Sequence, residues 1–170
     1  MSEGPVNFGK PLLWLTIIGC AGGGYYAATH WPYTYEGQNW SVKLPHGWEM
    51  APSSDPGDLR LVGSGPLPKS PTGEEQTGVV WAKVVPHGTL DWNMYMQNHV
   101  PGTPDWTQDD DIDYKKSRLF IYEDQTTRYY GAMVDRTDVL VIVAMGTNKT
   151  NFPLQKPIFE NAIRTIRCQR

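Results

Sequence analysis

The apolar positions divide the chain into one N-terminal hydrophobic segment and a longer part with short alternating runs. Residues 11–31 contain no Asp, Glu, Lys or Arg, and about 20 such residues span a hydrocarbon core as a helix. The part after residue 35 has no comparable apolar run and no repeat. The pattern predicts an N-terminal tail over residues 1–10, a transmembrane helix over 11–33 and one soluble domain over 36–170.

Small residues in the second half of the hydrophobic segment predict packing against another helix. The strongest apolar stretch is Leu12–Ile18, and glycines are frequent immediately after it. Small residues allow two helix backbones to approach closely in a membrane, so we expect docking into a larger membrane assembly. The alternative is a weak anchor whose glycines have no partner. The predicted helix-packing residues are Gly19, Gly22, Gly23 and Gly24.

Aromatic residues flank the segment, as is typical of the membrane–water interface. Lys10 precedes the segment and the next basic residue is Lys43, so the positive-inside rule places the N-terminus in the cytoplasm. We therefore expect a single-pass protein of an inner membrane, cytoplasmic or photosynthetic, with a periplasmic domain in contact with the lipid bilayer. The predicted interface residues are Trp14, Tyr25, Tyr26, Trp31 and Tyr33.

A cleaved signal peptide is the competing interpretation of this segment. Ile17, Ile18, Gly19 and Cys20 resemble a lipobox that would be cut before the cysteine. The first ten residues carry one Lys and one Glu, which is a poor positive n-region, so a retained anchor is favoured. Cys168 is the other cysteine, and because a thiol embedded in the bilayer could hardly reach it, we predict no disulfide.

Alternating and β-branched runs in the remaining chain predict strands. The last three runs are separated by short polar turns and predict an antiparallel meander. Val139–Val143 is continuously apolar, which predicts a central strand covered on both faces. The predicted strands are 40–44, 78–85, 117–123, 127–134 and 139–145.

Two helices and two loops complete the predicted domain. Residues 90–100 lack Gly and Pro, and residues 157–167 have an apolar face that we expect to pack on the sheet. That face comprises Ile158, Phe159, Ala162, Ile163 and Ile166. Clusters of Pro, Gly and Ser predict loops over 51–57 and 63–73. The predicted fold class is α+β, an antiparallel sheet flanked by helices.

Two segments of the predicted domain resemble the PsbP family. WSVKLPHGW at Trp40–Trp48 and the pattern FxxxxPxFExxxxTIR beginning at Phe152 carry the resemblance, which extends over roughly residues 38–168. The family includes the extrinsic subunit of the plant water-oxidising photosystem and bacterial relatives. The resemblance implies an α/β/α sandwich that stabilises or assembles membrane energy-converting complexes, and its motifs are structural rather than catalytic. The predicted membrane anchor is a departure from the plant subunit.

One acidic cluster is the principal candidate site. Closely spaced carboxylates bind Ca²⁺ or dock a basic partner, but the spacing is not that of an EF-hand loop. We expect a solvated acidic loop, with docking as the next alternative. The residues are Asp105, Asp109, Asp110, Asp111 and Asp113.

The histidines have no ligand-like spacing, so we predict no metal site. His87 and His99 could still meet in space, and His30, at the predicted membrane edge, could contact a pigment or lipid. The fourth is His46.

Charge and motif content argue against two further classes of function. The formal net charge is −3 and the basic residues are scattered, so we expect no nucleic-acid partner. The sequence has no nucleophile elbow, P-loop or dinucleotide fingerprint, and we predict neither catalysis nor a cofactor. Sixteen of the residues are Trp or Tyr, seven and nine respectively, which suits either contact surfaces or an aromatic core.

These observations lead to one expectation of function and two alternatives. We expect a non-catalytic accessory subunit of a membrane-embedded energy-converting complex, with integral and pigment-binding subunits as partners. A photosynthetic reaction centre with its antenna is named first because of the family resemblance. The alternatives are an accessory subunit of a respiratory complex and a membrane-anchored assembly factor that binds a metal or ligand.

Overall fold

The computed structural model describes residues 33–86 and 105–169, without the side chains of 106–109. The predicted tail, the predicted transmembrane helix up to residue 32 and the predicted helix 90–100 lie outside the described residues. In the part that is described, no helix is long and apolar enough to cross a membrane. The described elements are β1 (Tyr33–Gly37), β2 (Trp40–Leu44), β3 (Glu49–Pro52), β4 (Leu61–Leu67), β5 (Gln76–Pro86), β6 (Asp105–Ile112), β7 (Lys115–Glu123), β8 (Thr127–Asp135), β9 (Val139–Asn148), α1 (Phe152–Ile163) and β10 (Arg167–Cys168).

Seven of these strands form one antiparallel sheet in the order β3-β4-β5-β9-β8-β7-β6. The predicted meander is confirmed, since β7, β8 and β9 pair in sequence order. The predicted central strand is also confirmed. β9 pairs with β5 on one side and β8 on the other, and Leu140 to Thr147 are all buried.

The helix face of this sheet packs against α1 and against a smaller sheet of β1, β2 and β10. Val143 and Met145 of β9 share one hydrophobic core with Phe159 and Ile163 of α1 and with Val42 of β2. The predicted helix face is confirmed in its main contacts: Phe159, Ala162, Ile163 and Ile166 are buried, and Ile158 is partly buried. The described fold is therefore mostly antiparallel β structure with one helix.

An aromatic cluster occupies the opposite face of the seven-stranded sheet. Trp81 Nε1 donates a hydrogen bond to the Tyr122 hydroxyl at 2.5 Å, and the Tyr122 ring stacks on Tyr129 with 4.5 Å between ring centroids. A Cβ at Gly131 would collide with the Phe120 ring, and a Cβ at Gly146 would collide with the Tyr129 ring. Both glycines therefore lie directly against aromatic rings. Both faces of the sheet therefore carry packed aromatic side chains.

Several predicted boundaries are wrong. The predicted loop 63–73 is in part strand, since Leu61–Leu67 is β4. The C-terminal helix begins at Phe152 rather than 157 and ends at Ile163 rather than 167. Pro153 occupies its first turn and Pro157 its interior. The side chains of Phe152 and Gln155 are buried, so the buried face of the helix extends further toward the N-terminus than predicted.

Tyr33 corrects the predicted end of the transmembrane helix. It is the first residue of β1, paired with Leu44, and its side chain is half exposed. The chain is therefore already extended at Tyr33, the predicted last residue of the transmembrane helix. The other predicted interface and helix-packing residues lie outside the described part of the chain.

Candidate docking surface at the β6–β7 hairpin

The acidic cluster lies on a strand and in the turn that follows it, so the predicted loop conformation is wrong for every residue of the cluster except Asp113. Asp105 to Asp111 belong to β6, an edge strand of the large sheet. The cross-strand register with β7 explains the difference. Asp111 pairs with Lys116, and opposite charges at facing positions stabilise a strand pair. Charged residues on an edge strand also discourage pairing with another sheet.

The turn that joins β6 to β7 contains two residues in the left-handed region. Ile112 pairs with Lys115, so only Asp113 and Tyr114 form the turn. Their φ values are 54° and 58°, a combination found in two-residue hairpins that usually carry Asn-Gly or Asp-Gly. Here a tyrosine occupies the position that glycine favours, and its side chain is 99% exposed.

The C-terminal strand fixes this turn. Asp113 Oδ2 accepts a hydrogen bond from the backbone N–H of Cys168 at 2.8 Å, and Asp113 Oδ1 lies 3.7 Å from Arg167 Nε. Cys168 pairs in turn with Trp40 of β2. The carboxylate of Asp113 therefore connects the tip of the hairpin to the smaller sheet.

A second set of contacts holds the end of β6. Asp110 Oδ2 lies 2.7 Å from Nη1 of Arg164, the residue that follows α1. The hydroxyl of Ser117, which is buried, donates to the Asp110 carbonyl oxygen at 2.5 Å and accepts from the Ile112 N–H at 3.2 Å. The hairpin is thus attached to the sheet, the helix end and the C-terminal strand.

In the ion pairs Arg164–Asp110 and Arg167–Asp113, the arginine is more exposed to solvent than the aspartate. The side chains of Arg164 and Arg167 are 54% and 58% exposed, whereas those of Asp110 and Asp113 are each 21% exposed. Beside Tyr114 the surface forms an open cleft of about 560 Å³. Its lining residues are Asp111, Ile112, Asp113, Tyr114, Arg164 and Arg167. The tyrosine therefore projects beside two exposed guanidinium groups, and the carboxylate of Asp111 is also exposed at this cleft.

The described part of this surface contains no set of side chains suited to bind a metal ion. Within residues 33–86 and 105–169, no group of three or more His, Cys, Asp or Glu could hold a metal ion. Asp110 and Asp113 are already engaged by arginines, and the side chain of Asp109 is outside the described residues. The Ca²⁺ alternative therefore gains no support from Asp110, Asp111 and Asp113.

The other residues considered from sequence fall in different places. His46 lies in the turn after β2 and is exposed, while His30, His87 and His99 lie outside the described residues. Cys168 is buried, and burial raises the pKa of its thiol. Cys20 is likewise outside the described residues.

Sequence reasoning missed the three residues that characterise this surface: Tyr114, Arg164 and Arg167. A signal for the first was present, because Asp-Tyr separates an acidic segment from a β-rich one at a predicted strand boundary. The arginines gave no local signal. The partner of Arg164, Asp110, is 54 residues away in the chain.

Comparison with known proteins gives a likeness of fold. No family model matches the chain, and no curated protein matches it significantly. The solution structure of cyanobacterial PsbP (CyanoP) from Synechocystis sp. PCC 6803 is similar, with a TM-score of 0.51 and 10% sequence identity over 82% of this chain and 93% of that chain. A crystal structure of PA94, a protein of unknown function from Pseudomonas aeruginosa, matches with a TM-score of 0.44 and 14% identity over 79% of this chain and 94% of that chain. The predicted PsbP-like fold is confirmed by the first of these likenesses.

Proposed function

We propose that the chain is a non-catalytic accessory subunit of a membrane-embedded energy-converting complex, and that it docks through the β6–β7 hairpin. A photosynthetic reaction centre with its antenna is the first choice of complex. The PsbP-like fold supports this choice, since cyanobacterial PsbP is a structural neighbour. An accessory role in a respiratory complex is the alternative within the same class.

The docking proposal rests on the backbone conformation and the exposure of Tyr114. A non-glycine residue in the left-handed region costs about 1 kcal/mol or more, and an almost fully exposed ring gains little packing within its own domain. Such strain at an exposed residue points to a role in recognition. Tyr and Arg are enriched among residues that dominate protein interfaces, and Tyr114 stands beside Arg164 and Arg167.

The attachment of the hairpin also suits recognition. A surface that is already ordered before binding loses less conformational entropy when a partner docks. Asp113 and Asp110 supply that order through their contacts with Cys168 and Arg164. We propose that the partner is another subunit of the complex, approached from the aqueous side of the membrane.

The membrane anchor belongs to the same proposal. Residues 11–32 carry the sequence features of a spanning helix, which would place the N-terminus in the cytoplasm and the domain in the periplasm. Gly19, Gly22, Gly23 and Gly24 would then contact neighbouring helices. This arrangement gives the chain two separate attachments, one in the bilayer and one in the aqueous phase.

The test is affinity capture of the tagged full chain from native membranes in mild detergent. Three proteins are compared: wild type, Tyr114→Ala, and Leu59→Ala as a matched control, because Leu59 is another strongly exposed apolar side chain. We expect stoichiometric integral subunits with the wild type and the control, and a reduced yield with Tyr114→Ala. Chlorophyll-type absorption in the captured material identifies a photosynthetic complex, and haem bands identify a respiratory one. Capture of no stoichiometric subunit by the wild type contradicts the accessory role, and equal yields from all three proteins contradict docking through Tyr114.

A further inference from the structure

The side-chain amide of Gln76 is buried, and its nitrogen lacks a hydrogen-bond acceptor among the described residues. Gln76, the first residue of β5, is 5% exposed, and Gln155 of α1 is 4% exposed. Gln155 Nε2 donates to Gln76 Oε1 at 2.9 Å and to the Pro68 carbonyl oxygen at 3.2 Å. Gln76 Nε2 is buried and has no partner among the described residues.

Rotation of the amide groups does not remove this deficit. A rotated Gln155 amide would set its own oxygen 3.2 Å from the Pro68 carbonyl oxygen, with two acceptors facing each other, so the nitrogen of Gln155 faces Pro68. Gln76 must therefore present its oxygen to that nitrogen, because a flipped Gln76 amide would set two donors against each other. A buried donor without a partner costs about 1–3 kcal/mol, which favours any ligand that supplies an acceptor to Gln76 Nε2.

Gln76 also lines an open cleft of about 410 Å³. The size lies within the range of small-molecule and peptide-group sites. Its other lining residues are Gly65, Pro66, Leu67, Lys69, Glu75 and Thr77. Lys69 Nζ lies 3.6 Å from Glu75 Oε1, and both side chains are mostly exposed. The cleft therefore carries one positive and one negative charge, which form an ion pair.

We propose that this cleft binds a group with a neutral carbonyl oxygen, such as a peptide amide, which accepts a hydrogen bond from Gln76 Nε2. The ligand then supplies the acceptor that the fold lacks. A carboxylate is disfavoured, because Lys69 is the one cation among the described lining residues and Glu75 opposes it, and burying an uncompensated charge is costly. In this proposal the Gln76 amide, which is buried without a ligand, turns to the cleft surface when the ligand binds, a side-chain adjustment of the kind common at binding sites. This site lies on β4 and β5 and is independent of the proposed docking through Tyr114.

Nuclear magnetic resonance of the full chain in detergent micelles tests the proposal through the side-chain amide signals of glutamine. The probes are N-methylacetamide, a neutral peptide mimic, and sodium acetate at matched ionic strength. We expect N-methylacetamide to shift the Gln76 side-chain amide signal in a saturable way, and acetate to leave it unchanged. The signal of Gln125, an exposed glutamine in the turn between β7 and β8, should stay in place with both probes.

The variant pair Gln76→Met and Gln125→Met completes the test. Gln76→Met removes the donor at similar volume and leaves Gln155 bonded to Pro68, so backbone shifts induced around the cleft by N-methylacetamide should disappear. Gln125→Met should retain them. The proposal is overturned by a Gln76 amide that responds to neither probe, by one that responds to acetate alone, or by binding that survives Gln76→Met. If Gln76→Met does not fold, the titration of the wild type decides the question alone.

Discussion

The indole Nε1 of Trp48 donates a hydrogen bond to the carbonyl oxygen of Pro66 at 2.8 Å. The ring is fully buried and lies over Gly65 and Gly78, where a Cβ at either position would collide with it. Phe159 of α1 packs nearby, with 6.3 Å between the ring centroids. Because Gly65 and Gly78 have no side chains, the indole ring fits between the large sheet and the helix.

Gly78→Ala should destabilise the domain by about 1–3 kcal/mol, because an added methyl group in a filled core forces side chains and backbone to move. Urea unfolding followed by circular dichroism measures the change. Gly73→Asn is the control, since Gly73 lies in a turn with open space around its Cβ position in the described part of the chain and asparagine tolerates its positive φ. Equal losses in the two variants would contradict the close contact between Gly78 and Trp48.

A second prediction concerns Asp113, whose carboxylate attaches the β6–β7 hairpin to the C-terminal strand. Asp113→Asn retains an acceptor for the Cys168 N–H and tolerates positive φ, whereas Asp113→Gly frees the backbone but has no acceptor. A hydrogen bond to a charged group is worth about 1.5–3 kcal/mol. Amide exchange at Cys168 should therefore accelerate roughly tenfold or more in Asp113→Gly, and much less in Asp113→Asn. Similar exchange rates in both variants would show that the carboxylate does not hold the C-terminal strand.

The sequence could predict those parts of the fold whose signal is local. The order of β7, β8 and β9 followed from three β-rich runs with short turns, and the burial of β9 followed from its continuous apolar stretch. β4 was missed for the opposite reason. Gly63, Gly65 and Pro66 favour loops locally, but Trp48 requires glycine at residue 65, and Pro66 lies beyond Ser64, the last residue of β4 that pairs with β3. A proline is tolerated where one edge of a strand is free.

The candidate site was only partly predictable for a related reason. The acidic residues were visible in the sequence, and docking was one of the alternatives considered for them. Their strand conformation depends on the register with β7, and their partners Arg164 and Arg167 come from the far end of the chain. The exposure of Tyr114 likewise depends on the register, because a shift of one residue would move it out of the turn.

Tyrosine ionisation should destabilise the domain at high pH. Burial, reinforced by the charge of Asp124, raises the pKa of Tyr129 to about 12, and burial raises that of Tyr130 to about 12. Burial also raises the pKa of Tyr122. In the unfolded chain these phenols ionise near pH 10, so the unfolded state binds fewer protons than the folded state above that pH. The stabilising effect is complete below pH 10 and is lost as the pH rises toward 12.

Unfolding at a series of pH values from 8 to 12 measures this effect. Tyr129→Phe should reduce the steepness with which stability falls above pH 10, since one shifted group is removed. A profile that is identical in wild type and Tyr129→Phe would refute the contribution of Tyr129.

Tyr114→Gly should raise the stability of the domain while weakening docking. Glycine adopts positive φ without the steric cost that tyrosine bears, so we expect a gain of about 0.5–1 kcal/mol in the free energy of unfolding. The exposed ring contributes little packing to offset that gain. The same variant lacks the aromatic side chain that we propose contacts the partner, so its yield in affinity capture should fall. A stabilised variant with undiminished capture would leave the strain at Tyr114 without a role in recognition, and a destabilised variant would show that the ring supports its own fold.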